Sequence, residues 1–158
     1  MKDLKEEVKK ILKSNMWLVI STVDEKNQPH SSVVVYQSDG DIIIFQTGIN
    51  TLKAKSIQKN HNVSVTIPFR KNFLHKLVPA PPAELHFTAK AELVPYDNEE
   101  AKKIFAKFLK HSESIEKPQE TIWVKVKPSK LISTFGVGIK LLDMRKPNKA
   151  RNLVNLNE

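Results

Sequence analysis

The chain has 158 residues, 26 Lys and Arg against 17 Asp and Glu for a formal net charge of +9, and no cysteine. This length suits a single domain that buries its own core, and the absence of thiols excludes disulfide frameworks, thiolate zinc sites and cysteine nucleophiles together. The opening MKDLKEEVKK is charged where a leader peptide needs an apolar stretch, and no apolar run approaches the ~20 residues that span a bilayer; a cytoplasmic protein without membrane attachment is expected.

Leu4, Val8, Ile11 and Leu12 recur at helical spacing in a charged background, which predicts an amphipathic helix over residues 3–13. From Trp17 the period shortens. The runs WLVISTV, SSVVVYQ and DIIIFQT are rich in β-branched and aromatic residues and are separated by the turn clusters DEKNQP and SDGD, predicting three antiparallel strands joined by hairpins. Ser38-Asp39-Gly40-Asp41 tolerates the positive φ that the second hairpin needs. TLKAKSIQKN suits a short helix capped by Asn50 or Thr51, and VSVTI is a fourth strand.

PFRKNFLHKLVPAPPA carries four prolines between Pro68 and Pro82 and is expected to form a long loop, with Leu74, Leu77 and Val78 apolar enough for a lid or an interface patch. LHFTAKAEL resumes the strand pattern. Asp97-Asn98-Glu99-Glu100 starts a helix with a glutamate placed for a capping box, and Ala101, Ile104, Phe105, Phe108 and Leu109 form its buried stripe. TIWVKVK, closed by Pro128, is the last strand, with Trp123 in the core or at an interface. Phe135-Gly136-Val137-Gly138 reads as a turn, since no strand-helix-strand unit surrounds it to make half of a dinucleotide fingerprint. Six strands with two or three helices give a mainly β fold, an antiparallel barrel over residues 16–134 with peripheral helices, inside a single domain of residues 1–158 that ends in a basic surface tail, 144–158.

The charge is unevenly spread. From Ile42 to Ala83 no carboxylate opposes Lys53, Lys55, Lys59, Arg70, Lys71 and Lys76, and between Thr121 and Asn157 Asp143 is the sole acid. Such asymmetry suits either an anionic partner or solvated lysine faces. Within the first stretch, residues 46–55 join a strand end, a glycine turn and a helix start that carries two lysines. A helix N-terminus presents free N–H groups and partial positive charge, so lysines there are electrostatically misplaced unless an anion shares the site. The hydroxyls of Thr47 and Thr51 with the ammonium of Lys53 would suit a phosphate monoester; a surface helix with solvated lysines is the other reading. The five histidines show no paired metal spacing, and neither a Gly-rich phosphate loop nor a G-x-S-x-G elbow occurs. No metal is expected, and no catalytic acid, base or nucleophile can be assigned.

Taken in order, the segments from WLVISTV to VSVTI and the later ELHFTAKAEL resemble the pyridoxamine 5'-phosphate oxidase-like superfamily of FMN-binding split barrels. The matching pieces are Pro29-His30, Thr47, Lys53 and Asn60-His61-Asn62-Val63-Ser64. The resemblance implies a six-stranded antiparallel split β-barrel, FMN as cofactor with deazaflavin or heme as alternatives, and a homodimer whose flavin pocket lies at the two-fold interface. The implied activity is that of a flavoprotein oxidoreductase acting on a small-molecule redox substrate. By position it implies that Ser31, Ser32, Val33 and Val34 run beside the flavin ring and ribityl chain. Gln46 and Thr47 would end the third strand against the cofactor, and Thr51, Lys53 and, less directly, Lys55 would hold the phosphate. Tyr36 stands where the vitamin-pathway oxidases are expected to carry lysine, Leu52 replaces an arginine beside the phosphate lysine, and the C-terminal tryptophan-arginine substrate segment is not evident; a true pyridoxamine phosphate oxidase is therefore not expected. A nucleic-acid-binding barrel is the reading from another class, but aromatics at 7% leave few side chains for base stacking.

Overall fold

The alternating apolar runs become strands in the computed structural model, which describes residues 3–70, 81–109, 120–140 and 142–156. In chain order these hold α1 (Leu4–Ser14), β1 (Trp17–Val23), β2 (Pro29–Val35), β3 (Gln37–Ser38), β4 (Ile43–Gly48), α2 (Leu52–Lys59) and β5 (Asn62–Phe69). There follow β6 (Ala83–Val94), α3 (Glu99–Leu109), β7 (Thr121–Pro128), β8 (Leu131–Phe135) and β9 (Arg151–Asn155). The ladder runs β2-β1-β5-β6-β7-β4-β3, with β8 on β6 and β9 on β8. The mainly β split barrel expected from sequence is the observed architecture. Its six expected strands are β1, β2, β4, β5, β6 and β7, and β3, β8 and β9 are three short additions.

The split has two physical causes. β6 is long enough to serve two sub-sheets: on one edge it pairs with β5 from Ala83 to Lys90, while its other edge pairs Glu84–His86 with β8 and Ala89–Val94 with β7. The second cause is at β2, which lies against β4 without a ladder between them. The sequence predicts a continuous meander here, and the structure corrects it. The chain breaks at Tyr36, whose ring is fully buried in the core, and only the two residues of β3 then pair with β4. The Ser38–Asp41 turn itself forms as expected: Gly40 has φ +102, the Ser38 hydroxyl accepts the Gly40 N–H, and the Asp39 carboxylate accepts those of Asp41 and Ile42.

Inward side chains of the strands, among them Leu18, Ile20, Phe45, Val65, Leu85, Phe87, Val124 and Val126, form the main core, and α1 adds Val8, Ile11 and Leu12 to it. Asp3 caps α1 by accepting the Lys5 N–H. α3 packs Ala101 and Phe105 on the outer side of β4 and β7, against Ile44 and Trp123. Trp123 is therefore core: its indole N–H donates to the Tyr96 carbonyl at 2.9 Å, and its ring meets Tyr96 and Phe105 at centroid distances of 6.0 and 5.1 Å. The expected capping box does not form. Asn98 caps α3 by accepting the Ala101 N–H, which leaves Glu100 free to pair with Lys125 at 2.5 Å. No helix among the described residues is long and apolar enough to cross a membrane.

Two further boundaries differ from expectation. β5 runs through Pro68 to Phe69, with Pro68 opposite Glu84. It is tolerated because pairing of β5 with β1 stops at Thr66, so the missing N–H faces no ladder. Leu74, Leu77 and Val78 of the expected lid, and the side chains of Phe108 and Leu109, lie outside the described residues. The segment read as a basic tail instead carries β9, with Met144, Ala150 and Val154 buried beneath its exposed cations.

Gly136 has φ +75 and Gly138 φ +71, as the turn reading of that segment requires. A Cβ on Gly136 would lie 2.6 Å from Met144 Cε and 3.3 Å from Ala83 Cβ. Gly136→Ala is expected to lose about 1–3 kcal/mol of stability from backbone strain and the displaced methionine. A urea titration of wild type and variant measures it, and an unchanged midpoint would show that the turn relaxes without cost.

Candidate cofactor site

At the end of β4 the ladder register sets Gly48 opposite Thr121, and the Ile49 N–H donates to the Glu120 carbonyl at 3.0 Å. The chain then turns: the Thr51 N–H and hydroxyl both donate to the Gly48 carbonyl, at 3.2 and 2.9 Å. Thr51 is the N-cap of α2, accepting the Ala54 N–H on its hydroxyl and the Lys55 N–H on its carbonyl. The N–H groups of Leu52 and Lys53 are left without a partner among the described residues, as the first turn of a helix requires.

Around this turn three of the predicted residues come together. The Thr47 and Thr51 hydroxyl oxygens are 3.2 Å apart, and Lys53 Nζ donates to Thr47 Oγ1 at 3.4 Å. Thr47 is buried, and burial lowers the Lys53 pKa from the ordinary lysine range. Lys53 pairs with no carboxylate among the described residues, unlike Lys9, Lys59, Lys102 and Lys125, which contact Asp41, Glu25, Glu99 and Glu100. The two free N–H groups, the Thr47 hydroxyl and an uncompensated ammonium form a donor set that matches a phosphate monoester, while the Thr51 hydroxyl, its proton held by the Gly48 carbonyl, closes the turn. The residues present therefore fit the phosphate of a flavin mononucleotide.

Gln46 lies on the opposite face of β4 from Thr47, the side of Ile44 and Trp123, and donates from Nε2 to Thr121 Oγ1 at 3.1 Å. Thr121 is buried, and sequence reasoning missed it. It lies 75 residues from Gln46, and only the β4–β7 register brings the two together. The four residues of β2 do not share a face. Ser31 and Val33 point outward, Ser31 bonding Ser21 across the ladder at 2.8 Å and Val33 being 66% exposed, whereas Val34 is buried in the core and Ser32 is half-buried. Side chains from alternate positions only can meet one ligand, the rest contributing backbone. Lys55 is exposed and lines a separate hollow of about 260 Å³ with Asp24, Glu25 and Gln28, away from the Thr47–Thr51–Lys53 cluster. Tyr36, at the position where lysine is expected for pyridoxamine phosphate, is a core residue whose hydroxyl has no partner among the described residues and whose pKa is raised by burial.

This combination of a split barrel with a cationic turn after its β4 strand defines a class of cofactor-binding barrels. The family model Pyridoxamine 5'-phosphate oxidase matches residues 4–134, and the chain belongs to that family. Among solved structures the fold is similar to a candidate pyridoxamine 5'-phosphate oxidase from Listeria innocua (TM-score 0.62, 21% identity, 80% of this chain and 94% of that one). It is also similar to the heme storage protein HutZ from Vibrio cholerae (TM-score 0.61, 18% identity, 80% and 90%) and to an FAD-binding protein from Mesorhizobium loti (TM-score 0.61, 14% identity, 82% and 91%). No curated protein matches the sequence.

Proposed function

We propose that the protein is an FMN-binding oxidoreductase of the pyridoxamine 5'-phosphate oxidase-like superfamily that works as a homodimer in the cytoplasm and does not oxidise pyridoxamine phosphate. The observation that carries the reading is the phosphate-shaped donor set of Thr47, Lys53 and the free N–H groups of α2, closed by the Thr51 cap, with no carboxylate paired to Lys53 among the described residues. Bound FMN would supply the hydride or electron transfer. The chain's own part is to hold the phosphate at Lys53 and to orient the ring along β2, with Gln46 fixed by Thr121. The burial of Tyr36 supports the exclusion of pyridoxamine phosphate, because its side chain is not available to a substrate.

A partner copy is supported by the outer face of the sheet. Val33, Val19, Thr66, His86, Ser133 and Leu153 register as one row across six strands, and Trp17, Val33 and Leu153 are more than half exposed. Val33→Asp on this row is expected to convert a dimer to monomers in sedimentation velocity; a wild-type monomer would remove the two-fold pocket. The cofactor is tested by the visible spectrum of purified protein after addition of FMN and gel filtration. Retained flavin near one per chain is expected. Retention of heme or a deazaflavin in its place would keep the barrel and replace the cofactor.

A further inference from the structure

The outer face of the barrel carries a second constellation that meets the flavin reading only at Ser31. Registers align one row of hydroxyls there, with Ser31 opposite Ser21, Ser21 opposite Ser64 and Ser64 opposite Thr88. On the same face, nearer β7, Asn62 stands opposite Lys90 and Lys90 opposite Lys127. Ser21, Ser64, Thr88, Asn62 and the two lysines line a hollow of about 710 Å³, with Val23, Pro29 and Pro128 as apolar walls. That volume is in the range of small-molecule sites.

The two lysines are electrostatically unsatisfied. Like charges directly opposite on a sheet are destabilising. Two residues further along the same strands, on the same face, β6 and β7 place Glu92 opposite Lys125, whose ammonium also reaches Glu100 at 2.5 Å. Lys127 has no partner among the described residues, and Lys90 has only the Asn62 amide oxygen, at 2.6 Å. Among the described residues no carboxylate lines the hollow. An anion seated between the two ammonium groups turns a repulsive pair into two attractive contacts, and the serine and threonine hydroxyls and the apolar walls are complementary to the rest of such a molecule.

We propose that this hollow binds a small amphiphilic anion, its carboxylate, sulfonate or phosphate group between Lys90 and Lys127 and its apolar body against Val23, Pro29 and Pro128. The site is separate from the Lys53 cluster. Thr121, which stands opposite Gly48 at the start of the Lys53 turn, and Lys127 are at opposite ends of β7, about 20 Å apart at the strand rise of roughly 3.3 Å per residue. The proposal therefore stands whether or not the cofactor is FMN.

The probe is anilinonaphthalene sulfonate, an aromatic body with one sulfonate, titrated by fluorescence into the full chain. One strong site is expected in the wild type and in Lys53→Ala. Lys90→Ala combined with Lys127→Met, which keeps an apolar stem while removing charge, should weaken it about tenfold or more. Salt should raise the melting temperature of the wild type more than that of the double variant, because screening relieves the lysine pair. Equal dye affinity in wild type and double variant overturns the proposal. So does a double variant whose dye binding is unchanged but whose sedimentation shifts, since a second copy then covers this face. FMN retention by the double variant at the wild-type level is expected, and its loss would place both ligands in one site and overturn the separation.

Discussion

Lys53→Ala is expected to weaken FMN binding by about 1.5–3 kcal/mol, roughly ten- to a hundredfold, without destabilising the fold. Among the described residues the lysine makes one long hydrogen bond, to Thr47 at 3.4 Å, so the fold loses little when it is removed. Burial lowers its pKa in the folded chain, which means that folding disfavours its charged form. For a lysine lowered in this way the sign is a penalty present at neutral pH that fades as pH rises through the lowered pKa, so the variant should melt no lower than the wild type at pH 7. The bound phosphate acts in the opposite direction and favours the ammonium. Wild-type affinity should accordingly decline on the alkaline side as Lys53 loses its proton, and the alanine variant should lack that limb. Flavin fluorescence titrations across pH measure both effects. Equal affinity of the two proteins at neutral pH would take the phosphate clamp out of the account.

Removing residues 144–158 should have the largest effect on stability. Met144, Ala150 and Val154 are buried; Met144 and Ala150 form a cluster with Ala83 and Phe135, and Val154 joins the main core. Burial of Met144 and Val154 is worth about 3–6 kcal/mol by area, before the β8–β9 ladder is counted. For a chain of this size each kcal/mol moves the melting temperature by roughly 2–4 °C, so a fall on the order of 10 °C or more is expected. Arg151 also stacks on Phe135 at 5.5 Å and pairs with Glu84 at 3.8 Å, small surface terms beside that burial. Thermal melts of the full and shortened chains decide the matter. A shortened chain that melts with the full one would mean that β9 is an ornament on β8.

Period and turn chemistry determined much of this protein without tertiary information. The apolar stripe of α1, the alternation in β1, β5, β6 and β7, the threonine cap of α2 and the glycine turn at Gly40 are all local signals, because each depends on residues within a few positions of one another. The Thr47–Thr51–Lys53 cluster was legible for the same reason: the three residues span seven positions of chain around one helix start. Features that join distant residues were not. Nothing near Gln46 announces Thr121, which reaches it through the β4–β7 register. The break at Tyr36 was hidden because a β-rich run reads as one strand whether or not it pairs with its neighbour, and the burial of the ring decides that. The basic tail misled for a related reason. Its cations dominate the composition, while the few apolar residues that anchor it, Met144, Ala150 and Val154, gain their meaning only from the surfaces of β8 and the core that receive them. The sequence by itself thus determined the main helices and six strands, the Thr47–Thr51–Lys53 turn and the family. Tertiary structure decided where the barrel splits, which faces the β2 side chains take and which lysines are left unpaired, because pairing register and burial depend on contacts between segments that local patterns do not encode.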